Sequence, residues 1–167
     1  IKFELIFIDD FSTDNSYQKL NKIRKKNRFI KIFKNKKKGL GSAINVGIRK
    51  SKSEYLCIFM CDLSDDTNDI IKYFKIIKKD KSLHAVFGTR FSKFSKVENY
   101  PFFKLILNRL ANNLIKIVTL TDYNDFTNAF KIYKKETLNK LMPLVSENFN
   151  IFLELPLKII SRKYKYK

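Results

Sequence analysis

Charged side chains sit where apolar runs stop. Phe3-Glu4-Leu5-Ile6-Phe7-Ile8 ends at Asp9-Asp10, Tyr55 to Met60 leads to Asp62, and Ala85 to Gly88 leads into Thr89-Arg90. Charge at such a place is costly unless it meets solvent, a metal ion or a ligand. One acid there is commonplace, because loops begin there. Recurrence on three runs points to a site. A second cluster is glycine. Gly39, Gly41 and Gly47 surround one helix start, directly after the basic loop Lys34 to Lys38. A glycine-rich helix N-terminus receives phosphate through its free N–H groups, and a plain turn explains the same residues equally well. Ile44 stands where a dinucleotide fingerprint needs its third glycine, so that fingerprint is absent.

These residues need a frame that brings strand ends to one edge. The first strand, Phe3 to Ile8, is followed by the turn and capping cluster Ser12 to Ser16. Tyr17, Leu20 and Ile23 then mark one face of a helix ending near Asn27. Phe29 to Phe33 is a second strand, and Ile44 and Ile48 mark the helix opened by Gly39. Tyr55 to Met60 is a third strand, with Cys57 in the core. Ile70, Ile71, Phe74 and Ile77 give a third helix, and Ala85 to Gly88 a fourth strand. Such alternation, with near-continuous apolar strands, predicts an α/β fold with a mostly parallel sheet covered by helices on both faces. Ligands then bind outside the carboxyl ends of the strands, where Asp9, Asp10, Asp62 and Arg90 lie. After Arg90 a helix spans about 101–120, followed by the loop Asp122 to Thr127. A strand from Ala129 to Tyr133 comes next, then helices around Glu136 to Leu141 and Phe149 to Arg162. With no repeat and no Pro/Gly/Ser linker, residues 1–167 read as one domain.

Composition excludes several classes. Hydrophobic residues at 44% and aromatics at 14% rule out a disordered segment. Cys57, Cys61 and the single His84 cannot build a closed zinc site. The opening residues do not read as a secretory signal. Leu105 to Leu120 is interrupted by Asn108, Arg109, Asn112, Asn113 and Lys116, so it does not span a bilayer. The expected location is cytoplasmic, or the cytoplasmic face of a membrane. Net charge is +19, which suits phosphates or an anionic surface, although the abundance of Lys, Ile, Asn and Phe makes compositional bias the simpler source of most of it. The lysines spread through most segments and no base-reading motif occurs, so no nucleic-acid partner is expected.

Ile8-Asp9-Asp10-Phe11-Ser12-Thr13-Asp14 closely resembles the V-D-D-G-S-T-D segment of family 2 glycosyltransferases of the GT-A fold, a Rossmann-like architecture. Within that family the chain looks most like the dolichyl- and polyprenyl-phosphate sugar transferases. The likeness continues in order. Asn35 to Gly47 resembles N-x-G-x-G-x-A-x-x-x-G, and Met60 to Asp66 resembles D-A-D-L-S-D-D. Gly88-Thr89-Arg90-Phe91 resembles G-S-R-F, and Asp125 to Lys131 is similar to D-x-T-S-G-F-R. Phe152 to Leu155 resembles a late x-x-E-L helix. Singly each is weak; six in the correct order are specific.

The resemblance implies transfer of a sugar from a nucleotide-sugar donor to an acceptor such as a polyprenyl phosphate at a membrane surface. Asp9, Asp10, Ser12, Gly39 and Asp62 would bind the donor, and Asp62 would hold Mg²⁺ or Mn²⁺. Arg90 and Arg109 would hold the acceptor phosphate. Asp62, Arg90 and Asp125 would be the catalytic set, with Asp125 orienting donor sugar or acceptor. Two positions depart from the pattern. Met60 replaces the first acid of the metal motif, leaving Asp62, with Asp65 or Asp66 either helping or capping the next helix. Asn128-Ala129 replaces Ser-Gly. The family's early P-x-x-N-E turn and late E-V-P strand lie outside this sequence, so the domain is expected to be incomplete at both ends. A saccharide acceptor within the same family is an alternative. A phosphoacceptor receiver domain also fits Asp9-Asp10, Asp62 and Thr89, but not Ser12-Thr13-Asp14, the helical region after Arg90 or the Asp125 segment.

Overall fold

The computed structural model describes residues 2–62, 64–92 and 101–167. Leu63, within the Met60–Asp66 segment, lies outside the described residues. The elements run β1 (Leu5–Asp9), α1 (Ser16–Lys26), β2 (Ile30–Lys34), α2 (Leu40–Lys50), β3 (Tyr55–Ile58) and α3 (Thr67–Lys79). They continue with β4 (Ala85–Phe87), α4 (Phe102–Thr119), β5 (Lys131–Lys134), α5 (Lys135–Lys140) and α6 (Ile151–Ser161). The expected alternation is therefore present, with β3 stopping at Ile58 and β5 starting at Lys131. The chain divides into two compact units, one of Ile1–Leu56 with Lys134–Ile151, the other of Cys57–Tyr133 with Phe152–Lys167.

In the first unit β1 and β2 are parallel, in register from Leu5 opposite Ile30 to Asp9 opposite Lys34. Both carboxyl ends thus share one edge. Helix α2 packs against β1 and α1 against β2. Ala43 and Ile48 are the buried apolar positions of α2. Glu4 joins the start of β1 to the turn after α2. It accepts from the Lys52 and Ser53 backbone N–H groups at 2.7 and 3.0 Å and pairs with Lys31. Burial alone would raise its pKa, but those bonds and the Lys31 charge bring it down to about 2.

In the second unit the strand order is β3-β5-β4, and β4 and β5 are antiparallel, Ala85 opposite Tyr133 and Phe87 opposite Lys131. The C-terminal residues extend the far edge of β4. His84 N–H donates to the Lys165 carbonyl at 2.7 Å, and Phe87 N–H to that of Lys167 at 2.8 Å. Ile77, Ala85, Phe126, Ile132, Leu155 and Ile159 fill the core.

Two details differ from the sequence expectation. Strands form two sheets among the described residues, and one pair is antiparallel, because β5 returns beside β4 in the opposite sense after α4 and its loop. Neither β1 nor β3 holds a fully buried residue, whereas β2 buries Ile30 and Ile32 and β4 is buried throughout. Cys57, expected in the core, is partly buried. Burial, with the Asp65 charge adding, still pushes its thiol up to about 12. No described helix is long and apolar enough to cross a membrane.

Candidate functional site

In the first unit Asp9 ends β1, and its carbonyl accepts from Asn35 N–H at 2.8 Å. Asp10 follows, and its carboxylate accepts from the Asn35 side chain at 2.8 Å and from Gly39 N–H at 3.0 Å. Ser42 Oγ in turn donates to Asn35 Oδ1 at 3.1 Å. Asp10 therefore fixes the loop between β2 and α2, while Ser12 lies exposed beyond it. Gly39 has φ 137°, which only glycine adopts without strain. A Cβ at Gly41 would lie 1.9 Å from the Ser146 carbonyl oxygen. Of the two readings of the glycine-rich start of α2, phosphate site or plain turn, these contacts favour the turn. Gly39 N–H is taken by Asp10, and Gly41 N–H by the Glu147 carbonyl at 2.8 Å. The glycines serve close packing, and Gly39 has no free donor for a donor diphosphate.

In the second unit Asp62 lies exposed past β3. Its carboxylate accepts from Ser64 N–H at 3.0 Å and Ser64 Oγ at 2.7 Å, and both bonds hold its pKa below the usual range. Asp65 is shifted the other way, first by burial and then by the negative charge of Asp62, against the opposing charge of Arg90. The repulsion between the two acids is therefore partly offset by the Arg90 guanidinium. Asp66 does not join them. Its side chain caps α3 by accepting from Asn68 N–H at 2.8 Å. Among the described residues no three of His, Cys, Asp and Glu form a metal cage. Asp62 and Asp65 fit the sparser mode in which one or two carboxylates share an ion with substrate and water. Met60, where the family has an acid, is partly exposed beyond the end of β3.

Arg90 and Asp125 form the most closely tied pair of the expected residues. Asp125 Oδ2 accepts from Arg90 N–H at 2.8 Å and from Nε at 2.9 Å, while Oδ1 accepts from Nη2 at 2.7 Å. The Asp125 side chain is 0% exposed and that of Arg90 is 32% exposed. The Asp125 carboxylate is thus enclosed, with both oxygens bonded to Arg90 and no exposed surface. Thr127 accepts from Arg90 Nη2 at 3.1 Å and from Asn108 Nδ2 at 3.1 Å, tying the pair to α4. Asn112, fully buried, receives Phe126 N–H at 2.6 Å.

Three residues had no functional reading in the sequence. The Phe91 ring centroid lies 4.5 Å from the Arg109 guanidinium carbon and 5.4 Å from that of Arg90, so both cations adjoin one aromatic ring. The single Tyr123 O–H proton is shared between the Gly88 carbonyl, 2.9 Å away, and that of Asp125, clamping the loop. Lys131 is buried, and its ammonium donates to the Phe126 carbonyl at 3.1 Å and to that of Asn128. Burial lowers its pKa to about 7, with Arg90 adding and Asp125 opposing.

The family model described as Glycosyl transferase family 2 matches residues 1–142. Over 162 residues the chain is 26% identical to a dolichol-phosphate mannosyltransferase of Pyrococcus furiosus, covering 95% of this chain and 45% of that one. It is 26% identical to the dolichol-phosphate mannosyltransferase of Saccharomyces cerevisiae over 163 residues, covering 95% and 59%. It is also similar, at 24% identity over 174 residues, to a poly-beta-1,6-N-acetyl-D-glucosamine synthase of Staphylococcus aureus, covering 98% and 41%. The chain spans about half the length of these relatives. Among solved structures it resembles glucosyl-3-phosphoglycerate synthase from Mycobacterium tuberculosis in complex with Mn²⁺, UDP and glucosyl-3-phosphoglycerate. There the TM-score is 0.69 at 14% identity, covering 95% of this chain and 55% of that one. The likeness shows the GT-A fold.

Proposed function

Because the chain belongs to glycosyl transferase family 2, we propose that it transfers a sugar from a nucleotide-sugar donor to a polyprenyl phosphate. An acceptor oxygen attacks the anomeric carbon, the bond from that carbon to the diphosphate oxygen breaks, and the nucleoside diphosphate leaves. The observation that carries the lipid-phosphate reading is the pair of guanidiniums on Phe91, Arg90 and Arg109, one of them held by a fully buried acid. Guanidinium binds phosphate bidentately, and an ionised phosphate needs no general base. In this reading Arg90 and Arg109 hold the acceptor, Asp125 is a positioning residue for Arg90, and Asp9, Asp10 and Ser12 receive the nucleoside. Asp62, with Asp65, is proposed to hold Mg²⁺ or Mn²⁺, which when bound offsets negative charge on the leaving diphosphate. Mn²⁺ and UDP in the mycobacterial synthase support that role. The work would take place at the cytoplasmic face of a membrane.

Similarity to the poly-N-acetylglucosamine synthase favours a saccharide acceptor as the second reading. A sugar hydroxyl needs a base, and Asp125 has both oxygens committed to Arg90, which weighs against it.

Calorimetric titration of UDP and GDP in the presence of Mn²⁺, Mg²⁺ or chelator tests the metal role. Binding of one nucleotide should depend on metal and weaken in Asp62→Asn, whereas Met60→Asp should tighten the apparent metal affinity. Metal-independent binding, unchanged in Asp62→Asn, would contradict the assignment.

A further inference from the structure

Helix α4 is inside out. Its inward side carries polar groups. Asn112 is 0% exposed, its Nδ2 donating to the Asn108 carbonyl at 2.9 Å and its Oδ1 receiving Phe126 N–H. Asn108 reaches Thr127, and Thr119 bonds back to the Ile115 carbonyl at 2.7 Å. The outward side is apolar. Phe103, Leu107, Leu110, Leu114, Ile117 and Val118 are each 60–80% exposed. With Phe102 and Ile106, which are 69% and 40% exposed, this face spans an arc of roughly 160° at 3.6 residues per turn, with Asn113 the one polar residue inside it. A water-facing helix normally shows the opposite arrangement. A continuous apolar face of this length marks an interaction surface.

The charges beside the arc identify the partner. Arg109 and Lys116 follow one border and Lys104 the other, and the chain as a whole carries +19. An apolar face flanked by cations is the pattern of a helix lying in the interface of an anionic bilayer, with aliphatic groups among the acyl chains and basic groups among the lipid phosphates. A second copy of the chain would bring Lys104, Arg109 and Lys116 against their own like charges, which disfavours that occupant. We infer that α4 docks the protein on an anionic membrane surface through this face, lying in the interface without crossing it.

The consequence for the site follows from the same contacts. The inner side of α4 bonds Thr127, which bonds Arg90, and Arg109 on the border shares Phe91 with Arg90. A helix seated in the headgroup layer would hold both guanidiniums at the depth of a lipid phosphate. This deepens the lipid-phosphate reading and rests on it for the acceptor. Docking itself involves no donor, so vesicle binding and sugar transfer can fail separately.

The test is flotation of the 167-residue chain with phosphatidylcholine vesicles, with and without phosphatidylglycerol, beside the variant Leu110→Gln/Leu114→Gln. Both leucines are exposed, so an unchanged circular dichroism spectrum should accompany the substitutions. The chain should bind the anionic vesicles preferentially, and the double variant should bind at least about tenfold more weakly, since two apolar side chains leave the lipid. The chain contains no tryptophan, so Leu110→Trp supplies a single reporter. Its emission should shift to the blue on adding anionic vesicles and be quenched by lipids brominated in the acyl chain. Equal binding by wild type and double variant, no preference for anionic lipid, or an unshifted reporter would overturn the inference. So would self-association in the absence of lipid that the double variant abolishes while wild type ignores vesicles.

Discussion

Lys131 shows what a single buried charge does to this fold. Its ammonium is enclosed beside the Arg90–Asp125 pair, and burial lowers its pKa to about 7 from the ordinary lysine value of 10.5. Across that window the unfolded chain holds a proton that the folded chain has released. Stability due to this residue therefore rises with pH from about 7 to about 10.5, and below about 7 its penalty is constant. Chemical denaturation of wild type and Lys131→Met at several pH values checks this. The variant should lack one proton's contribution to the slope, about 1.4 kcal/mol per pH unit; identical slopes would mean that Lys131 is hydrated in the folded state. Other residues of this cluster were easier to read. Asp62, Arg90 and Asp125 were legible as acids and a base at strand ends or in an ordered motif. That Asp125 serves Arg90 was not, because its commitment depends on a bond across 35 residues of sequence. Nor was the burial of Lys131, since lysine on a short strand reads as a solvated edge.

Element by element, periodicity located β1 to β4 and the helices between them but left their direction open. A helical apolar stripe gives the period of a face without saying whether core or solvent lies against it. In α4 the answer comes from Asn108 and Asn112, whose bonds to Thr127 and Phe126 turn the polar side inward. The division into two sheets was likewise not legible, because an apolar strand does not state its neighbours. At the start of α2 the glycine cluster allowed both phosphate binding and tight packing. The second reading makes a prediction. Gly41→Ala places a methyl group 1.9 Å from the Ser146 carbonyl oxygen. Because the obstacle is backbone, the 146–147 segment must move and its bond to Gly41 N–H weakens. A loss of about 1–3 kcal/mol is expected, read as a lower denaturation midpoint. A variant as stable as wild type would show that this approach is loose.

For the molecule as a whole, the family assignment, the fold and the acid and arginine positions lead to one chemical claim. The organisation of Arg90 by Asp125, with Arg109 on the same ring, suits an acceptor that arrives already ionised. The direct measurement is incorporation of radiolabelled sugar from a panel of UDP- and GDP-sugars into polyprenyl phosphate, with product recovered in organic solvent. One donor should yield labelled lipid. Arg90→Ala and Arg109→Ala should each raise the KM for polyprenyl phosphate by about tenfold to a hundredfold, the usual scale for losing a charged hydrogen-bonding partner of phosphate. Label passing to a saccharide and never to the lipid, with both arginine variants unchanged, would contradict the assignment.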